Sequence, residues 1–315
     1  MQYNEGETFE KDDDMKNKMC LSALALAVVT QVACAATPPA PATEDWLPEH
    51  SFTSGVEGPA VDRDGNLYAV NFERQGTIGV VADKNSAEIL LSLSNDSIGN
   101  AIRFNAQGDM FIADYVNHNV LKVSAADKSV SVFAHDDNMN QPNDIVLADS
   151  GVIYASDPNW ADSTGQLWRV DTDGATQLLE ANMGTTNGIE LSPDGRVLYV
   201  NESVQRKVWR YDVTPGGDIA NKQLFYSFAD FGMDGMSVDV AGNLYIARYG
   251  AGQVAVLSPN GELLRTVSLT GQHPTNITFG GDDGKRAFVT MQKRGTIESF
   301  VNDLPGSDWA KMHRE

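Results

Sequence analysis

Cysteine is nearly absent from this chain of 315 residues, and basic residues are scarce. Its two cysteines, Cys20 and Cys34, both lie in the first 36 residues. Removal of that segment would leave no disulfide, thiolate metal site or cysteine nucleophile. Only 23 Lys and Arg stand against 43 Asp and Glu, which gives a net charge of −20. Because phosphate recognition needs clustered basic side chains, this charge argues against nucleic acid and anionic membranes as partners.

Long apolar runs are also missing. The clearest one, Leu21–Val29, is too short to span a bilayer. Two lysines precede it, and the small residues of Ala33-Cys34-Ala35 follow it, which predicts a cleaved signal peptide and export to the periplasm or the medium. Lipid attachment at Cys34 is the alternative, and Gln31 disfavours it because an aliphatic residue is expected there.

The chain divides by composition into four parts. Residues 1–36 are an N-terminal extension plus the signal peptide, and the acidic residues before Met15 indicate an upstream start codon or an artefact. Residues 37–44 are a Pro/Ala-rich linker, which is expected to be extended. Residues 45–305 form the predicted folded domain, and residues 306–315 are a C-terminal tail.

The predicted domain consists of six repeats. Each repeat reads as an alternating run, a glycine turn and a second alternating run, as in AVDRDGNLYAVNF and DIVLADSGVIYASDP. The turn glycines are spaced by 42 to 47 residues: Gly65, Gly108, Gly151, Gly195, Gly242 and Gly284. That period and pattern predict an all-β fold, a single six-bladed β-propeller with four-stranded blades around a central metal-bearing tunnel. No amphipathic helix is expected, and EDWLPEHSFT, ahead of the first hairpin, is expected to complete the sixth blade.

Polar residues recur at one position of the repeat. We call the residues eight places before each turn glycine the axial positions, since the first strand of a propeller blade lines the tunnel. An extra residue assumed in the sixth turn moves the last of them by one place. The predicted axial residues are Glu57, Asn100, Asn143, Asn187, Asp234 and Thr275.

Two carboxylates and several amides on one axis predict a metal site. Glu57 and Asp234 would repel each other without a cation, and their desolvation would be costly. Oxygen donors of this kind suit one divalent cation, with Ca²⁺ favoured and Fe²⁺, Mn²⁺ or Zn²⁺ as alternatives. A water-filled polar tunnel is the alternative without metal.

Several spaced motifs resemble one family. They are Glu57-Gly58-Pro59, Pro142-Asn143-Asp144, Asn187-Gly188 and Asp234-Gly235, together with DPNW and FGGDD. In these motifs the chain resembles the SMP-30/gluconolactonase/luciferin-regenerating enzyme family. The resemblance implies a six-bladed propeller, one catalytic divalent metal and hydrolysis of sugar lactones. It also implies that the metal ligands are Glu57, Asn143, Asn187 and Asp234.

The resemblance further implies the roles of the carboxylates. A metal would polarise the lactone carbonyl, and a carboxylate would take a proton from the attacking water. Asp234 is the first candidate for this base and Asp144 the second. The alternative role of Asp144 is structural, namely to cap the start of the strand and orient Asn143.

Five residues are candidates for substrate binding: Asn100, Arg103, Gln141, His273 and Thr275. Arg103 has a plain surface role as its alternative. Gln141 stands where some relatives carry Arg, and Asp114-Tyr115 stands where bacterial relatives carry Glu-His, so the sugar specificity stays open.

Other functions are also compatible with these residues. Organophosphate or aryl-ester hydrolysis on the same ring is the alternative enzyme activity, and a calcium-dependent binding propeller is the alternative without catalysis. No Gly-x-Ser-x-Gly motif is present, which argues against a serine hydrolase. A small-molecule lactone is the expected partner, and the protein is expected to be a monomer.

Overall fold

The computed structural model describes residues 43–314. The expected extension and signal peptide, both cysteines and residues 37–42 of the expected linker lie outside the described residues. Export therefore stays a prediction, as does the monomeric state. Within residues 43–314, no helix is long and apolar enough to cross a membrane.

Six antiparallel sheets of four strands each make up the fold, which confirms the six-bladed β-propeller. The first three blades consist of β2 (Phe52–Val61), β3 (Leu67–Phe72), β4 (Thr77–Asp83) and β5 (Ser86–Ser92); β6 (Gly99–Phe104), β7 (Met110–Asp114), β8 (Asn119–Val123) and β9 (Val130–His135); and β10 (Ile145–Leu147), β11 (Ile153–Asn159), β12 (Thr164–Val170) and β13 (Thr176–Met183).

The remaining blades follow the same order. They consist of β14 (Thr186–Leu191), β15 (Val197–Glu202), β16 (Lys207–Val213) and β17 (Ile219–Ser227); β18 (Met236–Val238), β19 (Leu244–Arg248), β20 (Gln253–Leu257) and β21 (Leu263–Ser268); and β22 (Pro274–Gly280), β23 (Arg286–Met291) and β24 (Thr296–Val301), which pair with β1 (Glu44–Asp45).

The first hairpin of each blade forms because a glycine can adopt the left-handed conformation that its turn needs. Gly65 and Gly151 have φ values of 86° and 89°, a region that side chains with a Cβ rarely occupy. In the first hairpin, the Asp62 side chain accepts hydrogen bonds from the backbone N–H groups of Asp64 and Asn66 at 3.0 and 2.9 Å. The turn signals read from the sequence are therefore the turns of the structure.

The hydrophobic core lies between adjacent blades. The alternating apolar residues of one blade pack on those of the next, as where the Tyr245 and Phe279 rings meet edge to face with centroids 5.0 Å apart. Burial of Val254 and Val289 in the same cluster is essentially complete. This packing removes the sheet faces from water and supplies the main stabilisation of the ring of blades.

The sixth blade is closed by the N-terminal strand, as the sequence analysis expected. Strand β1 pairs with β24 through Glu44↔Ser299 and Asp45↔Glu298. Arg294 reinforces this closure because its guanidinium contacts Asp45 at 2.7 Å and Glu298 at 2.6 Å. Strand β1 thereby covers the outer edge of β24 and gives the sixth blade the four strands of the other blades.

A short helix follows the last blade, which the sequence analysis did not expect. Helix α1 (Ser307–Met312) has only six residues, too few to show an apolar period. Its Trp309 side chain packs directly over Gly284, leaving no room for a Cβ at that turn. Residues 307–312 of the expected tail thus form a helix that packs on the sixth blade.

Candidate functional site: a ring of oxygen donors

The axial residues lie where the first strand of a blade departs from regular pairing. In the first blade the β2–β3 register shifts on both sides of Glu57, and in the fourth the β14–β15 register shifts between Thr186 and Ile189. A bulge of this kind re-aims side chains and is common beside functional sites. In the third blade regular pairing begins only at Ile145, so Asn143 and Asp144 precede the paired part of β10.

Glu57 and Asp234 are the two carboxyl groups of the ring. Glu57 is 8% exposed, and its Oε2 accepts a hydrogen bond from the Gly58 N–H at 2.6 Å, whereas Asp234 is half-buried. Burial and the Asp234 carboxylate raise the pKa of Glu57 well above its usual range. Burial raises the pKa of Asp234 to about 8, although Asn187 and Glu57 hydrogen-bond to it. The two groups are therefore close enough to disfavour a double negative charge.

Asn143 and Asn187 add two buried amides. They are 6% and 3% exposed, and the Oδ1 atom of each lacks a hydrogen-bond partner. Asn100 supports this arrangement from the second blade, since its Nδ2 donates to the backbone oxygen of Asn143 at 3.1 Å. A buried amide oxygen without a partner is costly and calls for an explanation.

We call Glu57, Asn143, Asn187 and Asp234 the donor ring. No group of three or more His, Cys, Asp or Glu side chains in residues 43–314 is arranged to hold a metal. The donor ring contains only two such residues and completes its set with amide oxygens, which are good ligands for a hard cation. Unpartnered oxygens beside carboxyls of raised pKa fit a divalent cation, because its charge would satisfy the oxygens and favour the carboxylates.

The sixth blade differs from the expectation. Five residues separate Gly280 from its partner Arg286, as five separate Val61 from Leu67, so the extra residue assumed in that turn is absent. The unshifted count of eight places Asn276 at the axial position. The Thr275 hydroxyl lies 3.0 Å from the Val56 backbone oxygen, which accepts from it, and 2.8 Å from Thr290 Oγ1.

Asn276 is a tunnel residue that the sequence analysis missed. It is 2% exposed, its Nδ2 donates to Asp144 Oδ2 at 3.4 Å, and its amide also hydrogen-bonds Glu57. Asn276 lies eight residues before the turn glycine Gly284, so the spacing used for the other five blades predicts it without adjustment.

Asp144 and Arg103 form a buried ion pair beside the donor ring. Arg103 Nη2 lies 3.3 Å from Asp144 Oδ1, and these side chains are 10% and 1% exposed. Burial raises the pKa of Asp144 even though Arg103 opposes the shift. Arg103 is thus not a surface residue, and its guanidinium is engaged with a carboxylate of the tunnel.

The mouth beside Asp234 carries further polar and aromatic groups. The Tyr249 and His273 rings meet at 4.9 Å, and the Tyr249 hydroxyl donates to Gln292 Oε1 at 2.5 Å. Burial raises the pKa of Tyr249, and the charge of Asp234 contributes, so the Tyr249 hydroxyl lies near the donor ring. Gln141 is half-buried. Sequence reasoning had no signal for Tyr249, which lies in a loop.

Close backbone approach explains two glycines that follow ring residues. A Cβ at Gly188 would overlap the backbone oxygen of Asp234, and one at Gly235 would overlap the Asn276 amide. The Asn-Gly and Asp-Gly pairs of the motifs are therefore a packing requirement of the narrow tunnel.

A cavity of about 550 Å³ lies at the end of the tunnel towards the first hairpin turns. Its walls include Arg103, Glu190 and, from α1, Asp308, but no member of the donor ring. Glu190 is 2% exposed and accepts a hydrogen bond from the Leu191 N–H at 2.8 Å. Burial and the Asp308 carboxylate raise the pKa of Glu190 to about 8, while Arg103 opposes the shift and the Asp144 carboxylate adds to it.

Glu190 should make stability fall as the pH rises. Because its pKa is about 8 in the folded chain and near 4.5 in the unfolded chain, folding retains a proton between these values. We expect Glu190→Gln, which mimics the protonated form, to flatten the decline in unfolding free energy between pH 5.5 and 8.5 by about 2 kcal/mol. Urea unfolding of the wild type and the variant at several pH values in this range measures the unfolding free energy. Exposed Glu88 supplies the control variant Glu88→Gln, and a Glu190→Gln profile parallel to that of the control would contradict the prediction.

Comparison with known proteins assigns the family. A family model described as the SMP-30/Gluconolactonase/LRE-like region matches residues 56–293. The chain therefore belongs to this family, as its motifs indicated.

Named relatives share part of their length with this chain. It is 26% identical over 215 residues to a gluconolactonase of Zymomonas mobilis, covering 61% of this chain and 60% of that protein. It is 30% identical over 144 residues to a 6-deoxy-6-sulfogluconolactonase of Pseudomonas putida, covering 45% and 50%. The matched regions thus span less than two thirds of these relatives.

Solved structures show the same fold. A luciferin-regenerating enzyme aligns with a TM-score of 0.72 at 20% identity, covering 84% of this chain and 97% of that one. A calcium-binding protein, regucalcin, of Agrobacterium tumefaciens aligns with a TM-score of 0.71 at 20% identity, covering 82% and 96%.

Proposed function

We propose that this protein is a metal-dependent hydrolase that opens sugar lactones. The observation that carries the proposal is the donor ring, which combines two carboxyl groups of raised pKa with two buried amide oxygens that lack partners. The relatives named gluconolactonase and sulfogluconolactonase support the substrate class. Membership of the family is consistent with the metal site and with the substrate class.

Glu57, Asn143, Asn187 and Asp234 would hold one divalent cation, with Ca²⁺ preferred. All four donors are oxygens, and calcium accepts a mixed set of carboxylate and amide ligands together with water. The neighbour named as a calcium-binding protein supports the same ion. Fe²⁺, Mn²⁺ and Zn²⁺ are the alternatives, and elemental analysis of the purified protein distinguishes them.

When bound, the cation would supply Lewis-acid polarisation of the lactone carbonyl. Asp234 accepts the proton of the attacking water and returns it to the alkoxide released when the ring C–O bond breaks. We assign this role to Asp234 because it is half-buried beside the mouth, whereas Asp144 is 1% exposed and ion-paired with Arg103. Asp144 and Arg103 then shape the tunnel below the reacting centre.

Groups at the mouth would bind the substrate hydroxyls. Gln141, His273 and Tyr249 offer donors and acceptors there, and Asn100 supports the ring through Asn143. Thr275 and Arg103, both sequence candidates for substrate contact, have their polar groups engaged with other residues in the fold. We therefore place the substrate contacts of the proposal on the mouth residues.

The proposal is tested by acid release from a lactone panel led by glucono-1,5-lactone, with spontaneous hydrolysis subtracted. We expect turnover that EDTA removes and added CaCl₂ restores, because the donor ring has no positive charge of its own. A panel without metal-dependent turnover would reject the lactonase. Calcium binding without turnover would favour a binding propeller, and turnover limited to paraoxon-type phosphotriesters or aryl esters would favour the alternative hydrolase.

A further inference from the structure

A second set of polar residues recurs in the repeat, six places after each turn glycine. We call it the outer set, and its members all lie in the second strand of their blade: Asn71, Asp114, Asp157, Asn201, Arg248 and Thr290. Their exposures range from 0% to 5%. Buried polar side chains in six consecutive blades are costly unless each is hydrogen-bonded.

Each member of the outer set hydrogen-bonds the backbone of a segment that leads into or contains an axial residue. Asn201 Nδ2 donates to the Asp234 oxygen at 2.6 Å, and Thr290 Oγ1 accepts from the Asn276 N–H at 3.0 Å. The other contacts join Asp114 to Ile98, Asn71 to Gly55 and Gly99, Arg248 to Asp230 and Gly232, and Asp157 to Asn140 and Gln141.

Asp157 has the most extensive of these contacts. Its carboxylate, 0% exposed, accepts from the backbone N–H groups of Asn140 and Gln141 at 2.9 and 2.6 Å. It also accepts from Gln166 Nε2 at 2.8 Å and from Trp168 Nε1 at 3.0 Å. A carboxylate is an acceptor at both oxygens, so it satisfies all of these donors, whereas an amide would direct its own N–H groups at some of them.

The segment held by Asp157 ends at the donor ring. Only Pro142 separates Gln141 from Asn143, and proline restricts the backbone on both sides. The position of the Gln141 backbone is therefore transmitted to the Asn143 amide, whose Oδ1 has no partner of its own. Hydrogen bonds to a charged acceptor are stronger than neutral ones, which suits a positioning role.

We propose that Asp157 is a positioning residue, which holds the Asn143 oxygen in the donor ring through the backbone of Asn140 and Gln141. The other members of the outer set hold the equivalent segments of their own or the next blade in the same way. This inference rests on the proposed metal site and lactonase function, but it concerns a residue that touches neither metal nor substrate. Partners that hydrogen-bond a metal ligand directly typically change metal affinity by about 10–100-fold, and the lower end of this range is expected for Asp157 because it acts through the backbone.

Asp157→Asn tests the proposal, with Asp239→Asn as a matched control. Asp239 is also 0% exposed and accepts from the backbone N–H groups of Ala241 and Asn243 and from the Tyr245 hydroxyl, at 2.9, 3.0 and 3.0 Å. Its contacts lie in the hairpin turn of the fifth blade, away from the donor ring. Both variants should lose thermal stability because both place an amide among donors.

Calorimetric titration with CaCl₂ alone and steady-state kinetics on glucono-1,5-lactone then distinguish Asp157→Asn from Asp239→Asn. We expect Asp157→Asn to weaken calcium binding by about 10-fold or more and to lower kcat, while Asp239→Asn stays close to the wild type. Unchanged calcium affinity in Asp157→Asn, or equal losses in both variants, would overturn the positioning role.

Failure of the two proposals gives different results. A wild type that binds calcium in an Asp157-dependent way but hydrolyses no lactone would leave the positioning role standing and reject the lactonase. A wild type that binds no calcium would overturn both. If Asp157→Asn does not fold, Trp168→Phe removes one donor and keeps an aromatic ring: weaker calcium binding supports the role, and unchanged binding overturns it.

Discussion

Asp234→Asn should lower kcat for lactone hydrolysis by about 100-fold or more while the propeller stays folded. The substitution removes the proposed base, and such a base contributes about 10²–10⁴-fold to a rate. It also removes a donor-ring carboxylate, so calcium affinity should fall with kcat. In EDTA the variant should melt no lower than the wild type, because burial raises the pKa of Glu57 and the amide removes the Asp234 charge that adds to this shift.

The measurements are steady-state kinetics and thermal unfolding, each with EDTA and with excess CaCl₂. Asp303→Asn makes the same change of charge at an exposed position and should match the wild type in both. Full activity of Asp234→Asn would remove Asp234 as the base and make Asp144 the next candidate.

Gly235→Ala should destabilise the fold by about 2–3 kcal/mol and disrupt the tunnel. The added Cβ would overlap the Asn276 amide. That amide cannot move freely, because its Oδ1 accepts from the Ile277 N–H at 2.8 Å and its Nδ2 contacts Asp144. A shift would therefore break contacts that organise Asp144 and Glu57, and we expect activity to fall with stability.

Urea unfolding and kinetics measure this effect, and two further variants identify its cause. Gly216→Ala is the control, since the nearest atom to its Cβ would be Thr214 Oγ1 at an ordinary 3.9 Å. Gly235→Ala combined with Asn276→Ala removes the overlap and should be more stable than the sum of the two single changes predicts. Additive losses would show that the overlap is not the cause.

The repeat pattern alone predicts most of the fold. Turn glycines such as Gly65 and Gly151 have positive φ, and alternating runs on both sides become the first two strands of each blade. These features are local, because a hairpin is specified by its turn residues and the two-residue period of its strands. The closing role of the segment before the first hairpin also follows, because the sixth repeat supplies only three strands and lacks the outermost one.

The donor ring is predictable for the same reason. Glu57, Asn143, Asn187 and Asp234 occupy equivalent places in their repeats, so the symmetry of a propeller directs them to one axis. The predicted axial residue is wrong only in the sixth blade, because an extra turn residue was assumed there and Thr275 was predicted instead of Asn276. The adjacent Asn143-Asp144 pair, unfavourable in a regular strand, is accommodated because regular pairing in the third blade begins only at Ile145.

The residues that hold the ring in place could not be read from the chain. Arg103 meets Asp144, and Asn201 meets the Asp234 backbone, across different blades. Nothing in either residue's own repeat identifies its partner, because such contacts depend on how the blades twist and how closely they approach. The repeat therefore places the donors on the tunnel axis. Packing between blades fixes their positions and sets the pKa values of the two carboxyl groups, since burial and cross-blade contacts exist only in the folded ring.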